Sequence, residues 1–345
     1  MLIKGIFNIC LILSLVILGM SSSWLVIWIL VETITVCIVV LMLSETITPR
    51  NVEAITKYYI MQAVASVLLL FGILLHLRGS GSFDIYSQYS SLENIFILVA
   101  IFVKLAVFPN FWFVDLISGL APTRAFYALV LSKIAPLFIF YFLVSEEQFV
   151  FCSIIGLFSA LSGGMMGINQ TSIRKILAYS SIANLGWFII CFPILPATVS
   201  AGAFFVYILG VWPILFVCSA FSAHCLLKSS NLNSSGFSIM IFILSLLSLG
   251  GLPPLLGFFV KWAMFQGLLS SGYLWVCGVL ILGSLLSLFF YLNIIYTLVS
   301  ISWPQVKVII GLGGFSFSWH VLLCCISILG LLFGSGFFLS IVWVQ

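Results

Sequence analysis

Gly250-Gly251-Leu252-Pro253-Pro254 lies near the middle of an apolar run covering residues 237–269, and Gly257-Phe258-Phe259-Val260-Lys261-Trp262 follows it. The run is too long for one simple span, since a membrane helix takes about 20 residues at a rise of about 1.5 Å each. Two adjacent prolines remove two backbone donors and clash with the preceding turn. The stretch therefore predicts a broken helix with a lysine just beyond the break.

The chain around it has the same solvent preference. It is 63% hydrophobic and 6% charged, with a mean hydropathy of +1.35, where a globular domain carries roughly 25% charged residues. No soluble core absorbs that much apolar surface. In lipid the backbone must satisfy its own hydrogen bonds within helices or a closed barrel. Apolar runs of helical length, without period-2 alternation, decide for helices. They predict an all-α integral membrane protein of about eleven transmembrane helices, near 5–20, 23–43, 57–77, 92–108, 122–144, 149–168, 174–192, 197–222, 237–269, 273–300 and 319–341. No connection is long enough for a separate domain, so residues 1–345 read as one membrane domain. Lys4 before the first apolar stretch resembles a signal peptide, but no small-residue cleavage site follows, and the stretch is expected to be a first membrane helix.

The net charge of +4 does not point to nucleic acid, because the twelve Lys and Arg are scattered along the chain and form no basic run. Their places report topology. Lys4, Arg50, Lys57, Arg124, Arg174, Lys175, Lys228 and Lys307 fall on the side of the N-terminus and only Arg78 on the other. The positive-inside rule makes the first side cytoplasmic or matrix, and an odd helix count puts Gln345 opposite. The sequons at Asn169 and Asn233 fall on the same basic side, where glycosylation is not expected.

Cys10, Cys37, Cys152, Cys191, Cys218 and Cys277 lie in apolar runs without metal spacing and read as small hydrophobes. No dinucleotide or phosphate-binding glycine motif occurs, and no cysteine set fits an iron–sulfur cluster. His76, His224 and His320 read as interfacial residues near helix ends. The chain is expected to hold no cofactor of its own.

At least four ionisable residues sit well inside predicted spans: Glu32, Lys104, Lys133 and Lys261. A charge at mid-bilayer costs about 2.5–3.5 kcal/mol on insertion scales, so such residues face a bundle interior or a hydrated path. A lysine near a helix end can snorkel to the interface, but Lys133 is midway along 122–144. Lys104 precedes Pro109 by five residues and Lys261 follows Pro253-Pro254 by seven. Taken in fives, 1–144 and 149–300 form two repeats of opposite direction, each with a broken fourth helix, and 319–341 is an additional helix. Matched breaks in inverted halves point to an ion path at the midplane. Within the first half, Glu32 is expected nearest Lys104.

The segment Gly167-Ile168-Asn169-Gln170-Thr171-Ser172-Ile173-Arg174-Lys175-Ile176-Leu177-Ala178-Tyr179-Ser180-Ser181-Ile182 closely resembles the G-x-N-Q-T-x-x-R-K-x-x-A-Y-S-S-I signature of the NADH dehydrogenase subunit 2 family. Further matches are Lys57-Tyr58-Tyr59, Gln62-Ala63-Val64-Ala65-Ser66, Lys104-Leu105-Ala106, Lys133-Ile134-Ala135-Pro136 and Leu246 to Pro254 with Lys261-Trp262. The resemblance implies an antiporter-like subunit in the membrane arm of respiratory complex I, in the short form found in animal mitochondria, and hence the mitochondrial inner membrane. It implies that Glu32, Lys104, Lys133 and Lys261 form a proton relay. It places NADH, FMN, iron–sulfur clusters and ubiquinone in other subunits, with other membrane-arm subunits and lipids as partners. An Mrp-like cation/proton antiporter or a membrane scaffold without its own proton path are the alternatives. The sequence departs from the family after the fourth helix. Asn110-Phe111-Trp112-Phe113-Val114-Asp115 stands where many relatives have H-F-W-x-P-E, so Asp115 replaces the glutamate only approximately.

Overall fold

A computed structural model describes residues 2–44, 48–85, 89–107, 111–144, 148–220, 236–253, 255–302 and 330. The described residues are helical apart from short connections and one isolated bridge between Ser23 and Asp84. The helices are α1 (Leu2–Met20), α2 (Trp24–Leu43), α3 (Pro49–Ser80), α4 (Ser91–Leu105), α5 (Phe111–Gly119), α6 (Pro122–Phe126), α7 (Ser132–Leu143), α8 (Phe149–Ile168), α9 (Ile173–Cys191), α10 (Ala197–Ala220), α11 (Gly236–Gly250), α12 (Leu256–Ser270) and α13 (Leu274–Ser302). A π-helical turn, Tyr127–Leu131, joins α6 to α7. Six of the described helical stretches are long and apolar enough to cross a membrane, and Lys4–Met20 and Ser238–Gly250 are shorter apolar helices.

Several elements differ from the hydropathy reading for local chemical reasons. The third helix begins at Pro49 rather than near 57. Thr48 caps it by accepting from the Asn51 amide at 3.3 Å, and Pro49 fills the first position, where a missing N–H costs nothing. Its first turns carry Arg50, Glu53 and Lys57, which mask the helix from an apolar window. The segment after the fourth helix, expected as a loop, forms α5. The run 122–144 is divided by its π turn, and 237–269 is divided into α11 and α12. The segment 319–341 lies outside the described residues except Gly330, as do Pro109, Pro254, His224 and His320.

The helices cluster into two compact units, Met1–Ile155 and Gly156–Gln345. In the first, α1 packs on α2, α2 on α3, and α3 on both α4 and α5. The α3–α4 contact is close enough that a Cβ on Gly72 would lie 2.6 Å from the Ile97 side chain. The outer faces are apolar: Ile9, Ile12 and Met20 of α1 are all exposed, which suits lipid and not water. In the second unit α10 packs on α11 and α12, and α9 on α12 and α13. The α9 helix is buried at every position from Ile176 to Ala183.

Candidate functional site: buried charges at interrupted helices

In the first unit the ionisable groups gather where α2, α3, α4 and α5 meet. Lys104 is on the last turn of α4, with its side chain 1% exposed, and its Nζ donates to Glu32 Oε1 of α2 at 3.3 Å. The helix stops immediately beyond it. Ala106 adopts φ 58°, the one left-handed non-glycine among the described residues. The Val107 amide returns to the Phe102 carbonyl at 3.0 Å and the Ala106 amide to Val103 at 3.1 Å. This is the pattern of a Schellman termination, in which the last carbonyls find donors beyond the helix. Lys104 thus sits at the negative end of a helix dipole with a carboxylate beside it, two reasons for a charge to reside there. Gln62 of α3 donates to the Lys104 carbonyl at 3.4 Å.

Lys133, on α7, is 1% exposed and its Nζ lies 5.0 Å from the centre of the Phe113 ring of α5. An ammonium over a ring face is attracted by the ring quadrupole. The backbone around it is irregular on both sides. The π turn ends at Leu131, and Pro136 supplies no donor to the Ser132 carbonyl. The helix that sequence alone presents as a plain span is loosened on either side of its buried lysine.

The second unit repeats the termination seen at α4. The chain leaves α11 at Gly250 with Gly251 at φ 80°, and the Leu252 and Gly251 amides return to Leu247 and Ser248 at 3.2 and 3.1 Å. Helix resumes at Leu256. Lys261, one turn into α12, donates to the Gly250 carbonyl at 2.9 Å, so it too meets the negative end of a helix. Pro253 is in the connection. The two strands of chain approach closely there: a Cβ on Gly257 would overlap the Ser248 carbonyl. Beside Lys261 is a small cleft of about 40 Å³, lined mainly by apolar side chains such as Trp187, Phe188 and Met264, with Asn184, Tyr207 and Ser248 among them.

One buried histidine escaped sequence reading. His76 is fully buried rather than interfacial, with Nδ1 3.1 Å from Glu93 Oε2 and its ring stacked on Tyr89. Ser80 lies 3.3 Å from its other nitrogen. Glu93 also accepts from the Ser90 amide at 3.1 Å, the return half of a capping box. The Ser90-Ser91-Leu92-Glu93 spacing was the available signal, because it places Glu93 at the start of α4 and within reach of the end of α3. Asp115, left uncertain by the sequence, faces Lys57 at 3.5 Å, and Lys57 also pairs with Glu53 at 2.9 Å.

An all-helical membrane domain with paired or ring-packed lysines at helix interruptions defines the class: a protein of the antiporter-like type, without a metal cluster among the described residues. The family model for the NADH:quinone oxidoreductase/Mrp antiporter transmembrane domain matches residues 21–287. The chain is 37% identical over 289 residues to NADH-ubiquinone oxidoreductase chain 2 of Paracentrotus lividus, covering 83% of this chain and 81% of that one. It is 36% identical over 286 residues to the Xenopus laevis protein of the same name, covering 83% of each. Among solved structures, a chain of respiratory complex I from Thermus thermophilus superposes with a TM-score of 0.84 at 20% identity, over 97% of this chain and 78% of that chain. A chain of the Mrp complex from Dietzia sp. superposes at 0.71 and 18% identity, over 80% and 56%. The chain belongs to the NADH:quinone oxidoreductase/Mrp antiporter family and, within it, to the family of NADH-ubiquinone oxidoreductase chain 2.

Proposed function

We propose that this chain is a core membrane-arm subunit of a proton-translocating NADH:ubiquinone oxidoreductase and carries protons through Glu32, Lys104, Lys133 and Lys261. The observation that carries the reading is the Glu32–Lys104 pair, in which an almost wholly buried ammonium meets a carboxylate at the end of an interrupted helix. Removing the carboxylate from such a pair leaves an uncompensated buried ammonium, so the position of the carboxylate decides whether the lysine keeps its proton. Tightening the pair holds the proton on Lys104. Loosening it releases the proton toward Lys133, whose Phe113 contact stabilises the charged form, and then toward Lys261 at the α11 terminus. The driving signal arises from quinone reduction elsewhere in the complex and must bind or strain the two states unequally.

The architecture completing this reading has about eleven transmembrane helices, with inverted repeats at 1–144 and 149–300 whose breaks fall at Pro109 and at Pro253-Pro254. Its place is the mitochondrial inner membrane, Met1 facing the matrix and Gln345 the intermembrane space. NADH, FMN, iron–sulfur clusters and ubiquinone belong to partner subunits. The structural likeness to the Mrp complex chain supports a second reading as a cation/proton antiporter, at the level of fold. The test is the Lys133→Met complex, in which Met fills a similar volume without a titrating group. An assembled complex that oxidises NADH with proton translocation lost supports the relay. Undiminished protons per NADH would make the chain a scaffold.

A further inference from the structure

Tyr58 of α3 is 1% exposed, yet its hydroxyl meets no hydrogen-bond partner among the described residues. Leaving a hydroxyl buried and unsatisfied costs about 1–3 kcal/mol. It lies within electrostatic reach of the Glu32 carboxylate, and its ring packs on Trp112 of α5 with centres 6.1 Å apart. A buried, unsatisfied hydroxyl within electrostatic reach of a carboxylate is a site that a bridging water can satisfy.

The neighbours of Tyr58 lead in two directions. One turn further along α3, Gln62 touches the Lys104 carbonyl. One residue earlier, Lys57 reaches the surface with its side chain 45% exposed, paired with Glu53 and with Asp115. Trp112 and Asp115 are three residues apart and so share a face of α5. That face covers Tyr58 with the indole and meets Lys57 with the carboxylate. Arg50 adds to the charge near Glu53. The three sites are consecutive: a buried ion pair, a buried phenol, and an exposed charged cluster at the N-terminal end of α3.

We propose that the Tyr58 hydroxyl is a proton-passing link between the Glu32–Lys104 pair and the face marked by Glu53, Lys57 and Asp115. The inference rests on the relay reading above. A hydronium on the Lys57 side gives its extra proton to the phenol oxygen, forming one O–H bond and leaving a water. At the same time the original O–H bond breaks toward a water on the Glu32 side, which becomes the hydronium. The tyrosine stays neutral throughout, and one positive charge has moved inward. The packed Trp112 ring closes this route to bulk solvent, so that transfer depends on the hydroxyl and not on a continuous open channel.

The experiment uses the whole complex in sealed membrane vesicles, with protons translocated per NADH measured for Tyr58→Phe and Lys133→Met in parallel. The phenylalanine keeps the ring on Trp112 and removes only the hydroxyl. Tyr58→Phe is expected to lower the ratio to the Lys133→Met level and to change the solvent deuterium isotope effect on translocation. A wild-type ratio in Tyr58→Phe alongside a collapsed ratio in Lys133→Met overturns the link and leaves the relay standing. Wild-type ratios in both overturn the relay itself. Should Tyr58→Phe fail to assemble, the exposed pair Lys57→Gln with Asp115→Asn supplies the second reading. A shifted pH dependence of proton uptake supports the link, and an unchanged one overturns it.

Discussion

Lys104 Nζ and Glu32 Oε1 lie 3.3 Å apart although their residues are separated by 72 positions, and the two ends of the pair are unequally buried. The lysine side chain is 1% exposed and the glutamate 31%. The inequality matters because the lysine side chain is almost wholly removed from solvent and the carboxylate is the charge that compensates it. Changing the glutamate therefore strands a charge, while changing the lysine leaves a carboxylate that still reaches the surface of the unit.

Glu32→Gln is accordingly expected to be the more damaging single change. Breaking a buried pair costs roughly 3–5 kcal/mol, and the partial exposure of Glu32 brings this to about 2 kcal/mol. The double variant Glu32→Gln with Lys104→Met should recover assembly without recovering proton translocation. Native gel quantification of the complex, with translocation measured on the same membranes, checks both halves. Additive losses in the double variant would mean the pair carries no coupling.

Ala106 and Gly251 occupy equivalent positions after α4 and α11, both left-handed. An L residue at such a position is strained by about 1–2 kcal/mol and glycine is not. Ala106→Gly should leave the complex as resistant to heat as the parent or more so, while Gly251→Ala should lower its resistance. In Gly251→Ala the new methyl also comes 2.9 Å from the Lys261 side chain, so translocation should fall with stability. Heat inactivation of NADH oxidation, compared across the two variants, tests the opposite signs.

Gly257→Ala is a harsher change, since its methyl would meet the Ser248 carbonyl and backbone cannot yield as a side-chain end does. We expect little assembled complex. Gly278→Ala, on the open face of α13 with nothing within 4 Å of the added carbon, should assemble normally. Abundant complex with Gly257→Ala would mean that α11 and α12 can separate without loss.

Phe113→Leu removes the ring beneath Lys133 while keeping an apolar side chain. A cation–π contact away from water is worth about 2 kcal/mol, and its loss disfavours the charged lysine. Translocation at saturating NADH should slow by up to about 30-fold if Lys133 protonation limits the rate. A rate indistinguishable from the parent would show that another group sets the charge on Lys133.

Protease or thiol-reagent access in oriented inner-membrane vesicles should reach the two termini from opposite faces, as an odd number of crossings predicts. Access to both from one face would mean an even number of crossings.

The sequence by itself determined what depends on a few adjacent residues. Run length and missing charge specify helices in lipid, and Pro253-Pro254 forbids a continuous ladder through 237–269, where the chain leaves helix at Gly250 and resumes it at Leu256. The rarity of Glu32, Lys104, Lys133 and Lys261 within apolar runs singled them out before any coordinate. Tertiary structure decided which groups meet. Helices that are apolar nearly all round carry no stripe that says which side faces inward, so the burial of His76 against Glu93 was not legible. Nor were the Lys57–Asp115 contact and the burial of Tyr58 against Trp112. The short α5 shows the reason most clearly. Nine residues are marginal as an isolated helix, and these hold their form through what they pack against: Trp112 on Tyr58, Phe113 beneath Lys133, and Gly119 against Ala54.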